Sequence, residues 1–155
     1  MLPGLGDRPL VPSVLHFLPT LDYLVGDAAV EADRYRPSAT LRHVKRDLGT
    51  STCYEVDSRS IAPELATSLV LRSLKRNAEE ALGASVHRCL ASHPANFSLR
   101  QIEALERAYQ LADLDVQRMI GEPNVAGLLA SHQTVGKGDD FWCLVVDLGG
   151  GTWHS

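Results

Sequence analysis

Residues 144–152 read LVVDLGGGT, a short apolar run that leads directly into an aspartate, three consecutive glycines and a threonine. The apolar run begins earlier, at residues 141–146, and its continuity is typical of a strand buried on both faces of a sheet. Glycines at 149–151 can adopt positive φ and bring successive backbone N–H groups against a phosphate. Asp147 can hold a hydrated divalent ion, and Thr152 adds a hydroxyl donor. The stretch predicts a phosphate loop, although taken alone it is more often a simple hairpin turn.

Two helices are well marked in the middle of the chain. Across residues 63–82, apolar side chains recur at helical spacing, with Pro63 near the start and Gly83 just past the end. Ser98 and Gln101 form a capping-box pattern ahead of a second periodic segment. Both segments are therefore predicted as helices.

Shorter elements are predicted on either side of these helices. Strands are expected at residues 14–17, 24–25, 86–91, 116–120 and 141–146, and short helices at 27–35 and 124–130. Strands that alternate with helices are typical of an α/β layer structure. The sequence shows no repeat and no second domain, so residues 1–155 are predicted as one α/β domain with a mixed sheet flanked by helices.

Composition excludes several classes of protein. A chain of 155 residues, 45% hydrophobic and 22% charged, is long enough for one globular domain with a core. The formal net charge of -4 provides no basic field, so no nucleic-acid partner is predicted. No stretch reaches the length of a membrane span, and no cationic leader precedes an apolar run. A cytoplasmic protein without membrane insertion is expected.

The cysteines and histidines do not indicate a metal site. Cys53, Cys89 and Cys143 have no CxxC spacing and are predicted to be reduced, buried thiols. The six histidines show no metal-ligand spacing either, so no zinc site is predicted.

Five further segments accompany the glycine stretch in chain order. They are RPLVPSVLHF from Arg8, LVGDAA from Leu24, TLRHVKRDLG at 40–49, SHPANF at 92–97 and IGEPNVAGLL at 120–129. With residues 144–152, they resemble the nucleotide-binding domain of the heat shock protein 70 (DnaK-type) chaperones, a family of the actin-like ATPase superfamily. Each motif is short, but all six occur in the same order as in the family, and the resemblance extends over about residues 8–152.

This resemblance implies the first lobe of an actin-like, ribonuclease H-like ATPase domain, and it implies a role for individual residues. Lys45 would be the catalytic lysine beside the γ-phosphate, and Glu122 would orient a water or the metal's hydration shell. Asp147 would hold the metal through water, and Pro94 would be an allosteric switch. The phosphates would contact Gly149, Gly150, Gly151 and Thr152, with Thr152 also in the catalytic group. The alternatives are an exposed lysine, a helix-start carboxylate, a turn-capping aspartate and a strand-ending proline.

The resemblance also implies cofactors and partners, namely ATP or ADP with Mg²⁺ and, in full-length members, client peptides and co-chaperones.

Some features depart from the family. Nothing before Arg8 resembles its first phosphate loop, Asp-Leu-Gly-Thr-Thr, and Ile102 stands where better-known members carry an arginine that helps couple nucleotide state to the substrate domain. We therefore expect a fragment, truncated at both ends, that binds nucleotide weakly or not at all and is inactive alone. A non-catalytic remnant or interaction module, or another actin-like ATPase such as a sugar kinase, are the alternatives.

Overall fold

The computed structural model describes residues 11–20 and 22–134, with side chains described as far as Leu128. Several predictions lie outside the described residues. These are the strand at 141–146, the thiol of Cys143, and the site residues Asp147, Gly149, Gly150, Gly151 and Thr152.

The described residues form seven strands and four α-helices, which confirms the α/β class. Two single-turn 3₁₀ helices, Pro37–Ala39 and Val44–Asp47, flank the third strand. In chain order the elements are β1 (Val14–Phe17), β2 (Tyr23–Val25), α1 (Asp27–Asp33), β3 (Thr40–Arg42), β4 (Tyr54–Val56), β5 (Arg59–Ile61), α2 (Pro63–Leu82), β6 (Arg88–His93), α3 (Leu99–Leu111), β7 (Asp115–Gly121) and α4 (Glu122–Thr134).

Within the described part of the chain, the strands fall into three small sheets rather than one mixed sheet. β2, β1 and β3 form an antiparallel sheet in that order, and β4 pairs with β5 as a hairpin. β6 and β7 are parallel and are joined through α3. A parallel pair requires such a crossover, so the carboxyl ends of β6 and β7 lie at the same edge.

The helix signals in the sequence are confirmed. α2 has the predicted bounds, with Pro63 in its first turn and Gly83 at φ 63° donating its N–H to the Glu79 carbonyl. Both capping-box bonds between Ser98 and Gln101 are present at the start of α3. β6 lies two residues later than the strand predicted at 86–91. The Val86 N–H instead donates to the Glu79 carboxylate.

Among the described residues, the core consists of two clusters. The first joins the antiparallel sheet and the hairpin to α2, through Leu15, Phe17, Ala39, Leu41, Val44, Val56, Ile61 and Ala66. The second lies under α3 and contains Leu48, Ala104 and Leu105, with Phe97, Tyr109 and Met119 packed against it. The chain between β3 and β4 contributes to both clusters and therefore connects them.

The prediction of buried thiols is wrong for Cys53, which is exposed on the loop before β4. Cys89, on β6, is free and half-buried, and this burial raises the pKa of its thiol. In the described part of the chain, no helix has the length and apolar character needed to cross a membrane.

Candidate functional site

Lys45 lies on the 3₁₀ turn that connects the two core clusters. Val44, 8% exposed, packs into the first cluster, and Leu48, fully buried, packs into the second. His43 begins the turn at a left-handed φ of 58°. Because buried side chains anchor the turn on both sides of Lys45, its ammonium is directed into the groove between the clusters.

Gly49 fixes the other end of this turn against α3. Its φ is 74°, and a Cβ atom there would lie 2.8 Å from the carbonyl oxygen of Arg100. Only glycine permits both the left-handed backbone and the close approach. Asp47 braces the same turn, because its carboxylate accepts a hydrogen bond from Tyr54 and its carbonyl accepts one from Thr50 at 2.7 Å. Burial, and then the bond to Asp47, raise the pKa of the Tyr54 hydroxyl.

Glu122 reaches the same groove from the opposite side. It is the first residue of α4 and directly follows β7, whose last residue, Gly121, is in register with His93 of β6. Lys45 Nζ donates to Glu122 Oε1 at 2.6 Å. The two side chains are 47% and 37% exposed, and an ion pair that open to water contributes only about 0–1 kcal/mol. The ammonium is therefore held near Glu122 but can still contact a ligand.

An aromatic ring also contacts the ammonium. Lys45 Nζ lies 5.7 Å from the centroid of the Phe97 ring, within the range of a cation–π contact worth about 0.5–1 kcal/mol at an exposed site. His93 stacks with the same Phe97 ring, with the two ring centroids 6.5 Å apart, and its Nδ1 lies 2.8 Å from the Pro94 carbonyl oxygen. Phe97 was not among the predicted site residues, although it ends the quoted SHPANF segment.

The groove has a volume of about 1000 Å³ and two chemically different regions. One end is polar and mostly basic, since Arg42, His43, Lys45 and Arg46 line it together with Glu122. Most of the other lining side chains are apolar, and they come mainly from β1, α2 and α3. Cations at the carboxyl edge of parallel strands can bind an anionic group and stabilise charge that develops on it.

Three of the predicted site residues, Lys45, Glu122 and Pro94, line this one groove. The other five, Asp147, Gly149, Gly150, Gly151 and Thr152, lie outside the described residues. Among residues 11–20 and 22–134, no group of three or more His, Cys, Asp or Glu side chains could hold a metal ion.

Comparison with known proteins gives two consistent results. The family model described as Hsp70 protein matches residues 50–155. Chaperone protein DnaK of Thermotoga maritima and that of Thermotoga neapolitana are each 32% identical over 153 residues, and DnaK of Thermosipho africanus is 33% identical over the same length. These alignments cover 99% of the chain, Lys45 included, but 25% of each relative, so the chain spans about a quarter of their length.

Proposed function

Because this chain belongs to the Hsp70 protein family, we propose that it supplies part of the ATP site of a chaperone ATPase domain, with the phosphates bound beside Lys45. The observation that carries the proposal is the contact between Lys45 and Glu122 at 2.6 Å. The two residues are 77 positions apart in the sequence, and they meet at the carboxyl edge of β6 and β7. Ligands of open α/β sheets bind at this edge.

Lys45 is the catalytic residue of the proposal. Its ammonium would lie near the γ-phosphate and the attacking water, where it stabilises charge that develops as the phosphoryl group transfers. At about 4 Å and an effective dielectric constant of 20, such a contact is worth on the order of 4 kcal/mol before desolvation. The basic lining from Arg42 and Arg46 suits the same anionic ligand.

Glu122 and Pro94 would act on either side of this lysine. Glu122 accepts the hydrogen bond from Lys45, and in a nucleotide complex it would orient a water or the hydration shell of the metal. Pro94 follows β6 directly and lines the groove, so a movement there would be transmitted to Phe97 three residues later. We propose it as the allosteric switch.

The residues at the basic end of the groove suit the phosphates of ATP or ADP with Mg²⁺, and Glu122 supplies the single carboxylate among the lining residues that the structure describes. Asp147 is proposed to hold the metal through water, and Gly149, Gly150, Gly151 and Thr152 to donate hydrogen bonds to the phosphates. Mg²⁺, when bound, would neutralise part of the phosphate charge.

The activity of the whole protein is part of the same proposal. The relatives are named chaperone protein DnaK, and this chain spans 25% of their length. We propose that a full-length member containing this segment hydrolyses ATP, binds client peptides and co-chaperones, and acts in the cytoplasm. These properties would need the remaining three quarters of such a protein.

A chimera tests the proposal. This chain replaces the matching segment of Thermotoga maritima DnaK, and calorimetry measures the binding of ATP with Mg²⁺ to the chimera, to the parent DnaK and to the isolated chain. We expect the chimera to bind within about tenfold of the parent, a difference below about 1.4 kcal/mol. The isolated chain should bind weakly or not detectably. A folded chimera that does not bind ATP would support the non-catalytic interaction module instead, and micromolar binding by the isolated chain would contradict the expected weak affinity.

A further inference from the structure

His16 is a buried histidine that the proposed ATP site does not use. It lies on β1 and is 3% exposed, while its neighbours Leu15 and Phe17 point to the opposite face of the sheet, into the first core cluster. A buried polar side chain needs a hydrogen-bond partner. For His16 this partner is Thr40, which lies opposite it on β3 and whose Oγ1 is 2.8 Å from His16 Nδ1. The bond therefore joins two strands on the face away from that cluster.

The helix α1 brings an aspartate to the same face. It packs against β1 and β2 with Ala29 completely buried, and Asp33 follows Ala29 by four residues, one turn along the same side of the helix. Two side chains of β3 contact Asp33. A hydrogen bond from Arg42, and then one from Thr40, lower the pKa of the Asp33 carboxyl below its usual value of 3.8. Thr40 thus lies between the buried histidine and the aspartate.

The direction of each hydrogen bond follows from the groups involved. An ionised carboxylate only accepts hydrogen bonds, so the Thr40 hydroxyl donates to Asp33. A hydroxyl has a single proton, so Thr40 cannot donate to His16 as well and must accept from it. The proton of the His16 ring is therefore assigned to Nδ1. One continuous set of bonds runs from the buried ring to the carboxylate.

Asp33 in turn holds an arginine of the groove. Arg42 Nη2 donates to Asp33 Oδ2 at 2.7 Å, and the two side chains are 41% and 26% exposed. Arg42 also lines the basic end of the groove. Holding a long side chain in one orientation before a ligand binds lowers the entropy that binding would cost. The guanidinium is held by Asp33 but is open enough to contact an anion.

We propose that His16 is a positioning residue for the Arg42 guanidinium at the basic end of the groove, where the phosphates would bind. It acts through Thr40 and Asp33, and the four side chains together are named the arginine relay. The phosphate as ligand rests on the proposed function, whereas the bonds of the relay do not. Burial of the His16 ring explains its bond to Thr40. It does not explain why the same hydroxyl bonds a partly exposed carboxylate that already pairs with Arg42.

An NMR titration of the Asp33 carboxyl in the full chain tests the arginine relay without nucleotide. Thr40→Val removes the hydroxyl but keeps the shape of the side chain, so we expect the pKa of Asp33 to rise toward 3.8. Thr40→Ser keeps the hydroxyl and is the matched control, in which the pKa of Asp33 should stay close to that of the parent. Equal pKa values of Asp33 in the parent and in Thr40→Val would overturn the relay.

The tautomer of His16 gives a second test, which needs no substitution. Long-range ¹H–¹⁵N correlation spectra distinguish a protonated ring nitrogen from an unprotonated one, and the arginine relay requires a proton on Nδ1. If Nδ1 carried no proton, Thr40 would have to donate to the ring and could not donate to Asp33. That result would contradict the relay.

ATP binding by the DnaK chimera tests the role of the relay at the phosphates. His16→Leu should weaken ATP binding about three- to tenfold, the effect of losing one hydrogen bond. In a chimera that already carries Arg42→Ala, the same substitution should change the dissociation constant by less than about twofold, because its effect passes through Arg42. Thr40→Val, which changes the shape of the core less, should give the same pattern. His16→Asn keeps an N–H donor near the position of Nδ1 and should restore part of the affinity.

A stability control separates positioning from a general loss of structure. Val56→Ala removes a buried side chain of the first core cluster outside the groove, and it should lower stability without changing the affinity for ATP. Equal effects of His16→Leu with and without Arg42→Ala would overturn the positioning role. A chimera that binds no ATP would overturn the proposed function and the phosphate role of Arg42, while the titration of Asp33 would still decide whether the relay exists.

Discussion

At the scale of single residues, the position of Lys45 depends on its chain neighbours. Val44 and Leu48 are buried in different clusters, and Gly49 packs directly on the backbone of Arg100. The ion pair with Glu122 is half-exposed and adds little stability. The position of Lys45 is therefore set mainly by the packing of its buried neighbours and not by the ion pair.

The glycine that ends this turn allows a controlled test. Gly49→Ala should destabilise the chain by about 1–3 kcal/mol through backbone strain, plus the cost of a Cβ atom 2.8 Å from the Arg100 carbonyl oxygen. Gly83→Ala is the matched control, since Gly83 has φ 63° but a Cβ atom there would meet nothing within 4 Å. Urea unfolding measures both variants. Equal losses of stability would show that the contact with α3 has no energetic effect.

Residues of the groove were predictable from the sequence when they belonged to a recognisable motif. Lys45, Glu122 and Pro94 stand in quoted segments, and the structure brings them to one groove, although their catalytic and switching roles remain predictions. Phe97 stands in the same segment as Pro94 but was not singled out. Its contact with Lys45 joins residues 52 positions apart and depends on how the turn packs against α3. No local pattern encodes such a contact.

At the scale of elements, α2 and α3 are joined by side chains of α2 that bond the end of α3. The Arg72 guanidinium donates two hydrogen bonds to the Leu111 carbonyl, at 3.1 and 2.6 Å. Lys75 donates to the carbonyl and the carboxylate of Asp113, at 2.8 and 2.7 Å. These bonds satisfy carbonyls that the helix end leaves free.

The contact between Lys75 and Asp113 predicts a pH dependence. The hydrogen bond from Lys75, and then its charge, lower the pKa of the Asp113 carboxyl below its usual value of 3.8. Because the folded-state pKa is the lower one, the contribution to stability is present above pH 3.8 and is lost as the pH falls through the folded-state value. As the pH is lowered from about 5 to 2, the free energy of unfolding should therefore fall less for the Asp113→Asn variant than for the parent. Urea unfolding at a series of pH values measures this. If stability fell equally with pH in the parent and in Asp113→Asn, the assignment would be wrong. It would also be wrong if the control Asp22→Asn showed the same reduced loss.

The capping box of α3 gives a second prediction for an element. Ser98→Ala removes the acceptor for the Gln101 N–H and should cost about 1 kcal/mol. Ser85→Ala, in the exposed loop before β6, is the control and should change stability by less than about 0.5 kcal/mol. Thermal unfolding followed by circular dichroism measures both. A loss at Ser85 as large as that at Ser98 would contradict the role of the cap.

Elements with signals at their ends were predicted better than elements that depend on distant contacts. α2 was predictable because Pro63 and Gly83 mark its limits. The start of β6 was not, since the Glu79 carboxylate binds the Val86 N–H across the loop. The β4–β5 hairpin was missed because its turn residues, Asp57 and Ser58, adopt φ of 51° and 63° without the glycine that usually marks such a turn.

At the scale of the whole molecule, the two core clusters meet at the groove that contains Lys45. The first cluster belongs to the antiparallel sheet, the hairpin and α2, and the second belongs to α3 and the segment from Leu48. The family resemblance stated from the sequence is confirmed, while the actin-like arrangement of the full sheet remains a prediction. A movement of one cluster relative to the other would change the distance between Lys45 and Glu122.

The most direct test of the account is single-turnover ATP hydrolysis by the DnaK chimera and its Lys45→Ala variant, with ATP binding measured on the same samples. We expect hydrolysis to fall about 100- to 1000-fold, because the ammonium acts mainly on the transition state, while the dissociation constant changes by less than about tenfold. Arg76→Ala, an exposed cation on α2, is the control and should leave both values unchanged. A Lys45→Ala chimera that hydrolyses ATP at the rate of the unsubstituted chimera would contradict the central claim.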